Sequence, residues 1–120
     1  MARGYLFFRP LRLPLEPHEL SGETVLPLSD PDEIRSGLER IVPGLAWRDE
    51  HEAMATLDGR WLEFRLPRGE ADTLSLRCSL RADHTDLVQG FCDALGWLAF
   101  DESPMCFQPH RPPLPCGWLG

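Results

Sequence analysis

Two stretches of the chain alternate apolar and polar residues with a period of two, the pattern of a strand that buries one face. The apolar positions of the two stretches are Leu62, Phe64, Leu66, Leu74, Leu76, Cys78 and Leu80. The Asp58-Gly59 pair before the first stretch is typical of a tight hairpin turn, so the preceding residues 54–57 are predicted to form a partner strand. This central part of the chain therefore predicts an antiparallel sheet with one wet face.

The period changes to that of a helix in two other places. Asp30 is a suitable N-cap and Pro31 suits the first helical position. The first helix carries one apolar stripe, made of Ile34, Leu38, Ile41 and Val42. A second helix is predicted after Asp83, with the stripe Leu87, Val88, Phe91, Cys92 and Leu95. Gly96 is expected to end it in a left-handed conformation.

Aromatic and aliphatic content predicts a further strand at residues 5–9 and a short one at 105–108, while residues 16–29 are predicted to be a loop. The economical arrangement is an α+β two-layer sandwich, with a mostly antiparallel sheet of four to five strands and two helices on one face. The first choice of strand and helix order is the ferredoxin-like β-α-β-β-α-β. Residues 1–108 are predicted to be a single domain, and residues 109–120 a proline-rich C-terminal tail.

Two groups of large or reactive side chains are predicted to be buried. Trp97 and Phe100 follow Gly96 closely and are predicted to fold back over the helix end as a corner of the core. The alternative is that these rings form the wall of a pocket. Cys78 and Cys92 fall on apolar faces and are predicted to be buried, reduced thiols.

Composition and charge argue against several classes of protein, namely disordered, nucleic-acid-binding, membrane-spanning and secreted proteins. The chain has 120 residues, 42% of them hydrophobic and 26% charged, which is typical of a folded domain. A formal net charge of −7 argues against nucleic acid as a partner, because contacts to phosphate need cations. No apolar run approaches the ~18 residues of a membrane span, and the apolar start is too short for a secretory signal. We therefore expect a cytoplasmic protein that contacts neither nucleic acid nor membrane.

Candidate catalytic chemistry is sparse. Residues 49–52, Asp-Glu-His-Glu, hold several groups that could bind a cation or act as a general base, although a solvated edge is the simpler interpretation. Cys106, His110 and Cys116 lie near one another in the sequence but lack the close cysteine pair of structural zinc sites. We predict no metal and no cofactor. The alternative is a small metal-dependent or small-molecule enzyme that uses the cluster at Asp49, Glu50, His51 and Glu52.

The wet face of the predicted sheet is the remaining candidate for function. The residues that alternate with the buried leucines include Trp61, Arg65, Arg77 and Arg81. Tryptophan and arginine often anchor protein interfaces, whereas a sheet that binds RNA stacks bases on several aromatic rings and this face has one. The alternative is an ordinary solvated face on which Glu63 pairs with an arginine of the neighbouring strand.

The pattern as a whole favours a small non-catalytic cytoplasmic binding protein that acts through a protein partner. A regulatory or toxin-neutralising role is the type that we expect. The partner would be another protein or a second copy of the chain, as a homodimer. The predicted contact residues are Trp61, Arg65, Arg77 and Arg81.

Overall fold

The computed structural model describes residues 2–57, 59–70, 72–79, 83–102 and 105–115. The helices are α1 (Pro31–Ile41) and α2 (Thr85–Leu95), with a short 3-10 helix at Pro17–Glu19. The strands are β1 (Ala2–Pro10), β2 (Val25–Pro27), β3 (Ala46–Trp47), β4 (Glu52–Leu57), β5 (Arg60–Arg65), β6 (Leu74–Ser79), β7 (Leu98–Asp101), β8 (Met105–Gln108) and β9 (Arg111–Pro115).

Within these described ranges the strands form one nine-stranded antiparallel sheet, in the order β3-β4-β5-β6-β1-β7-β8-β9. The short strand β2 pairs with the end of β1, where Phe8 lies opposite Pro27. The first strand of the chain is therefore central in the sheet, between β6 and β7. The predicted four- to five-stranded sandwich of ferredoxin-like order is wrong, because the sheet has nearly twice as many strands and a different order.

The additional strands lack the pattern by which strands are recognised. In β7 the three residues Leu98, Ala99 and Phe100 are all buried, so apolar and polar positions do not alternate. The strand β9 lies at an edge of the sheet, the place where prolines are tolerated because an edge leaves N–H groups unpaired. Residues 111–115, which the sequence predicted to be part of a tail, thus pair with β8, and residues 116–120 lie outside the described part of the chain.

Both helices pack on one face of the sheet, here called the inner face. Their apolar stripes meet the buried rows of β1, β5 and β6 in the main core. The predicted helix ends are confirmed, since the Asp30 side chain accepts hydrogen bonds from the backbone N–H groups of Asp32 and Glu33. Gly96 ends α2 in the left-handed region at φ 72°. None of the described helices is long and apolar enough to cross a membrane.

A second, smaller core lies on the opposite face, here called the outer face. Residues 11–24, here called the covering segment, cross β7 and β8 on this side. The buried members of the second core are Leu15, Leu20, Val25, Leu98, Phe100 and Cys106. A buried glutamine holds the segment in place: Gln108 Oε1 accepts the backbone N–H of Leu15 at 3.0 Å, and Gln108 Nε2 donates to the Leu15 carbonyl.

The two aromatic rings after Gly96 belong to different cores. Trp97 is 6% exposed and meets Phe7 edge-on on the inner face, with ring centroids 5.8 Å apart. It is thus a core residue, as predicted. Phe100 instead points to the outer face and packs against Phe8, because successive residues of a strand face opposite sides. Cys78 and Cys92 are both buried, as predicted.

Candidate interaction surface

The outer face is uncovered over β4, β5, β6 and the first half of β1, and this region is here called the open half. Its outward positions are Gly4, Leu6, Glu52, Met54, Thr56, Trp61, Glu63, Arg65, Ser75, Arg77 and Ser79. Three large apolar side chains are exposed on it: Leu6 by 46%, and Met54 and Trp61 by 36% each. Apolar side chains exposed together on one sheet face mark a surface that can bind a partner.

Strand register brings three of the four predicted contact residues onto this surface. Glu63 lies directly opposite Arg77, and Arg65 lies opposite Ser75. Trp61 precedes Glu63 by two positions on β5, so Trp61, Arg65 and Arg77 share one side of the sheet. The fourth predicted residue, Arg81, lies outside the described residues.

The two arginines of the open half differ in their electrostatic surroundings. Arg65 Nε is 3.7 Å from Glu52 Oε1, and Arg65 Nη2 is 4.0 Å from Glu63 Oε1. Half of the Arg65 side chain remains exposed, so solvent weakens both ion pairs. Among the described residues, no hydrogen bond or ion pair engages the Arg77 guanidinium. Arg77 is therefore a cation that remains available to a partner.

Two members of the acidic cluster at residues 49–52, Asp49 and Glu52, are engaged by contacts within the chain, whereas the buried His51 Nδ1 has no hydrogen-bond partner among the described residues. Asp49 Oδ1 accepts the backbone N–H of His51 at 2.7 Å and that of Glu52 at 2.9 Å. The first of these hydrogen bonds is the main reason that the pKa of Asp49 is lowered. Glu52 faces Arg65 and also Arg48, at 3.6 Å. In the described ranges, no three histidine, cysteine or acidic side chains are arranged to hold a metal ion.

A cleft of about 600 Å³ lies between α2 and β9, and its carboxylates are also bound within the chain. Asp93 Oδ1 accepts the backbone N–H of His110 at 2.6 Å, which lowers the pKa of Asp93. Asp86 accepts a hydrogen bond from Arg60 at 2.9 Å, and its pKa is lowered mainly for that reason. Carboxylates of lowered pKa stay ionised at neutral pH, unlike a general acid or base tuned to exchange protons there.

The sequence interpretation missed two of the apolar members of the open half. Met54 is visible as an outward residue only once its pairing with Glu63 is known, and Leu6 only once β1 is placed beside β6. No alternation in the sequence marks Leu6, because its neighbours Tyr5 and Phe7 are apolar as well, and their burial on the inner face is known only from the structure. No protein-family model matches the chain, and comparison with curated proteins and with solved structures found no similar protein.

Proposed function

We propose that this chain is a small non-catalytic binding protein of the cytoplasm that acts through a protein partner, and that the open half of the outer face is its contact surface. The observation that carries the proposal is that exposed Leu6, Met54 and Trp61 lie on the same sheet face as Arg77, whose guanidinium has no hydrogen bond or ion pair among the described residues. Apolar anchors with an adjacent arginine are typical of the centre of a protein interface.

The remainder of the outer face supports the same proposal. Where this face carries buried aromatic and aliphatic residues, over β7 and β8, the chain lays its own covering segment upon them. Over β4, β5 and β6, none of the residues that the structure describes covers the corresponding side of the sheet. A surface of mixed apolar and charged residues suits association that can be reversed, because charged groups keep it compatible with water.

The type of role that we propose is regulatory or toxin-neutralising. Both roles require only that the protein occupies a surface of its partner, without chemistry of its own. The carboxylates with lowered pKa values are held by backbone N–H groups or by arginine, which fits a structural use of these groups.

The test is quantitative affinity capture from the native cell, with tagged wild type compared with the double substitution Arg65→Glu and Arg77→Glu. We expect the wild type to retain a protein, including untagged copies of the chain, that the double variant loses. Raised salt is expected to weaken the capture, because charge attraction across an interface is screened. Both positions are exposed, but the new carboxylates lie next to Glu52 and Glu63, so circular dichroism and thermal unfolding of the double variant must first show that it is folded.

Arg68→Glu is the matched control, since Arg68 is exposed in the turn after β5 and its substitution changes the net charge in the same direction. This control should capture what the wild type captures. Equal capture by all three proteins contradicts the open half as the contact surface. Loss of capture by Arg68→Glu as well shows an effect of total charge rather than of the surface.

A further inference from the structure

One row of residues crosses the open half at right angles to the strands. Met54 of β4 lies opposite Glu63 of β5, Glu63 lies opposite Arg77 of β6, and Arg77 lies opposite Gly4 of β1. The row therefore reads large apolar, negative, positive, small. If the row is reversed and laid over a copy of itself, Met54 falls on Gly4 and Glu63 falls on Arg77.

This order is complementary to itself under a two-fold rotation. Consider an axis that runs parallel to the strands, midway between β5 and β6, in the plane between two facing sheets. The rotation places β5 of one copy over β6 of the other at equal height, and β4 over β1. Glu63 then faces Arg77 of the second copy, and the same pair recurs on the other side of the axis.

The flanking positions are compatible with the same rotation. Met54 meets the position of Gly4, which has no side chain; among the described residues, only the flexible end of Glu102 would approach a Cβ there, at 3.3 Å. Arg65 meets Ser75, and Trp61 meets the position beside it on β6, Ser79. Large side chains thus face small ones at these positions, as two sheets about 10 Å apart require, whereas Leu6 meets Glu52 and adds little to the contact. Facing sheets cross at about 30°, so the pairs nearest the axis, Glu63 with Arg77, stay best aligned.

We propose that the partner of the open half is a second copy of this chain, joined face to face in a two-fold dimer with reciprocal Glu63–Arg77 pairs. This inference rests on the proposed function, because it takes the open half to be the contact surface. Arg77 supports the choice of a second copy, since its exposed guanidinium has no hydrogen bond or ion pair among the described residues and faces Glu63 across the axis.

The size of the surface sets the expected strength of the dimer. Four strands about 4.8 Å apart, with outward residues over roughly 15–20 Å of strand length, give a patch about 20 Å on each side. Such a patch spans about 400 Å², roughly half of the about 800 Å² that a stable interface buries on each partner. We therefore expect a weak dimer, with a dissociation constant on the order of 10 μM.

The experiment is a charge-swap series on the purified full chain, followed by sedimentation velocity over about 1–500 μM, a range that spans the expected dissociation constant. In Arg77→Glu, two glutamates face two glutamates across the axis; in Glu63→Arg, two arginines face two arginines. Each variant alone should weaken the dimer at least about tenfold, since like charges meet twice. Arg68→Glu is the control and should dimerise like the wild type.

Two further samples make the series specific for the two-fold arrangement. An equimolar mixture of Arg77→Glu and Glu63→Arg should recover dimers, because both pairs in the mixed dimer are again opposite in charge. The double variant Glu63→Arg with Arg77→Glu should also dimerise by itself. One variant with a fluorescent label distinguishes mixed dimers from homodimers.

The proposal is overturned if the wild type stays monomeric throughout this range, if the single variants dimerise as well as the wild type, or if the mixture and the double variant stay dissociated. A monomeric wild type together with capture of another protein that depends on Arg65 and Arg77 leaves the proposed function standing and removes only the dimer. Loss of that capture dependence contradicts the contact surface itself.

Discussion

The outer face of the sheet has a covered half and an open half, and the two are treated differently by the same chain. Over β7 and β8 the covering segment buries Leu98, Phe100 and Cys106. Over β4 to β6 the apolar residues Met54 and Trp61 are interleaved with charged ones and remain exposed. Where apolar residues lie next to one another, as on β7 and β8, the chain covers them itself. Where they alternate with charged residues, as on β4 and β5, they stay exposed to solvent or to a partner.

On the covered half, polar contacts also hold the covering segment in place. Leu15 is tied to the side-chain amide of Gln108, and the Arg111 guanidinium approaches the Leu15 carbonyl at 3.4 Å. Arg12 and Glu19 close the segment on its outside, with Nη2 and Oε2 2.8 Å apart. The cover is therefore a specific part of the fold, and substitutions in the two halves should have different consequences.

The largest expected difference between the two halves is the loss of unfolding free energy when a large aromatic ring is removed. Phe100→Ala should lower the free energy of unfolding by about 3–5 kcal/mol, because it leaves a cavity in the second core. Trp61→Ala removes a larger ring from the open half, but this ring is already 36% exposed and its loss leaves no enclosed cavity, so the cost should be about 1–2 kcal/mol. Urea unfolding of the two variants measures both values. Similar losses in the two variants mean that the open half is structurally part of a core.

The buried amide is the next test of the covered half. Gln108→Ala should cost about 2–4 kcal/mol, since the backbone N–H of Leu15 loses its acceptor in a buried place. Ser75→Ala, on the open half, should stay within about 0.5 kcal/mol. The same urea unfolding experiment applies. A loss below about 1 kcal/mol for Gln108→Ala shows that the segment does not depend on this anchor.

Thiol labelling reports whether the cover opens by itself. Cys106 lies under the covering segment, whereas Cys78 lies on the inner face. In a background with Cys116→Ser, Gln108→Ala should accelerate native-state labelling of Cys106 by roughly 30-fold, equivalent to about 2 kcal/mol of local opening. Labelling of Cys78 serves as the internal standard and should change less. Equal acceleration at both thiols indicates global unfolding rather than opening of the cover.

The smallest effect concerns the outer side of the cover. The pKa of Glu19 is lowered from its ordinary value of 4.5, chiefly by the hydrogen bond from Arg12. A lowered pKa stabilises the fold above that ordinary value, and this contribution is lost as the pH falls through the folded-state pKa. Glu19→Gln should therefore melt slightly below the wild type at pH 7, with the gap closing in acid. A gap that persists in acid, where Glu19 is protonated, points to a cause other than charge.

Local features of this fold were predictable, and features that join distant residues were not. The cap at Asp30, the end of α2 at Gly96 and the parity of β5 and β6 follow from neighbouring residues alone. The covering segment depends on Gln108, which is 93 positions from Leu15 in the chain. The sequence pattern of residues 11–24 alone does not predict the contact between Leu15 and Gln108.

The positions of the proposed contact residues were predictable in part for the same reason. Trp61, Arg65 and Arg77 follow from alternation within two strands, so the side of the sheet on which they lie could be read directly. The row of Met54, Glu63, Arg77 and Gly4 could not be predicted, because it depends on the placement of β4 beside β5 and of β1 beside β6. Helix ends and strand faces are local properties, whereas strand order is decided by the whole chain.

The central place of β1 determines when this chain can fold. Tyr5 pairs with Leu76 on one side and with Asp101 on the other, so the first strand to be synthesised acquires both neighbours only after most of the chain has been made. Closing such long loops is slow, and sheets dominated by distant pairings fold in milliseconds to seconds. Until then the apolar residues of β1 have no sheet to join, and a nascent chain that exposes them is prone to aggregation.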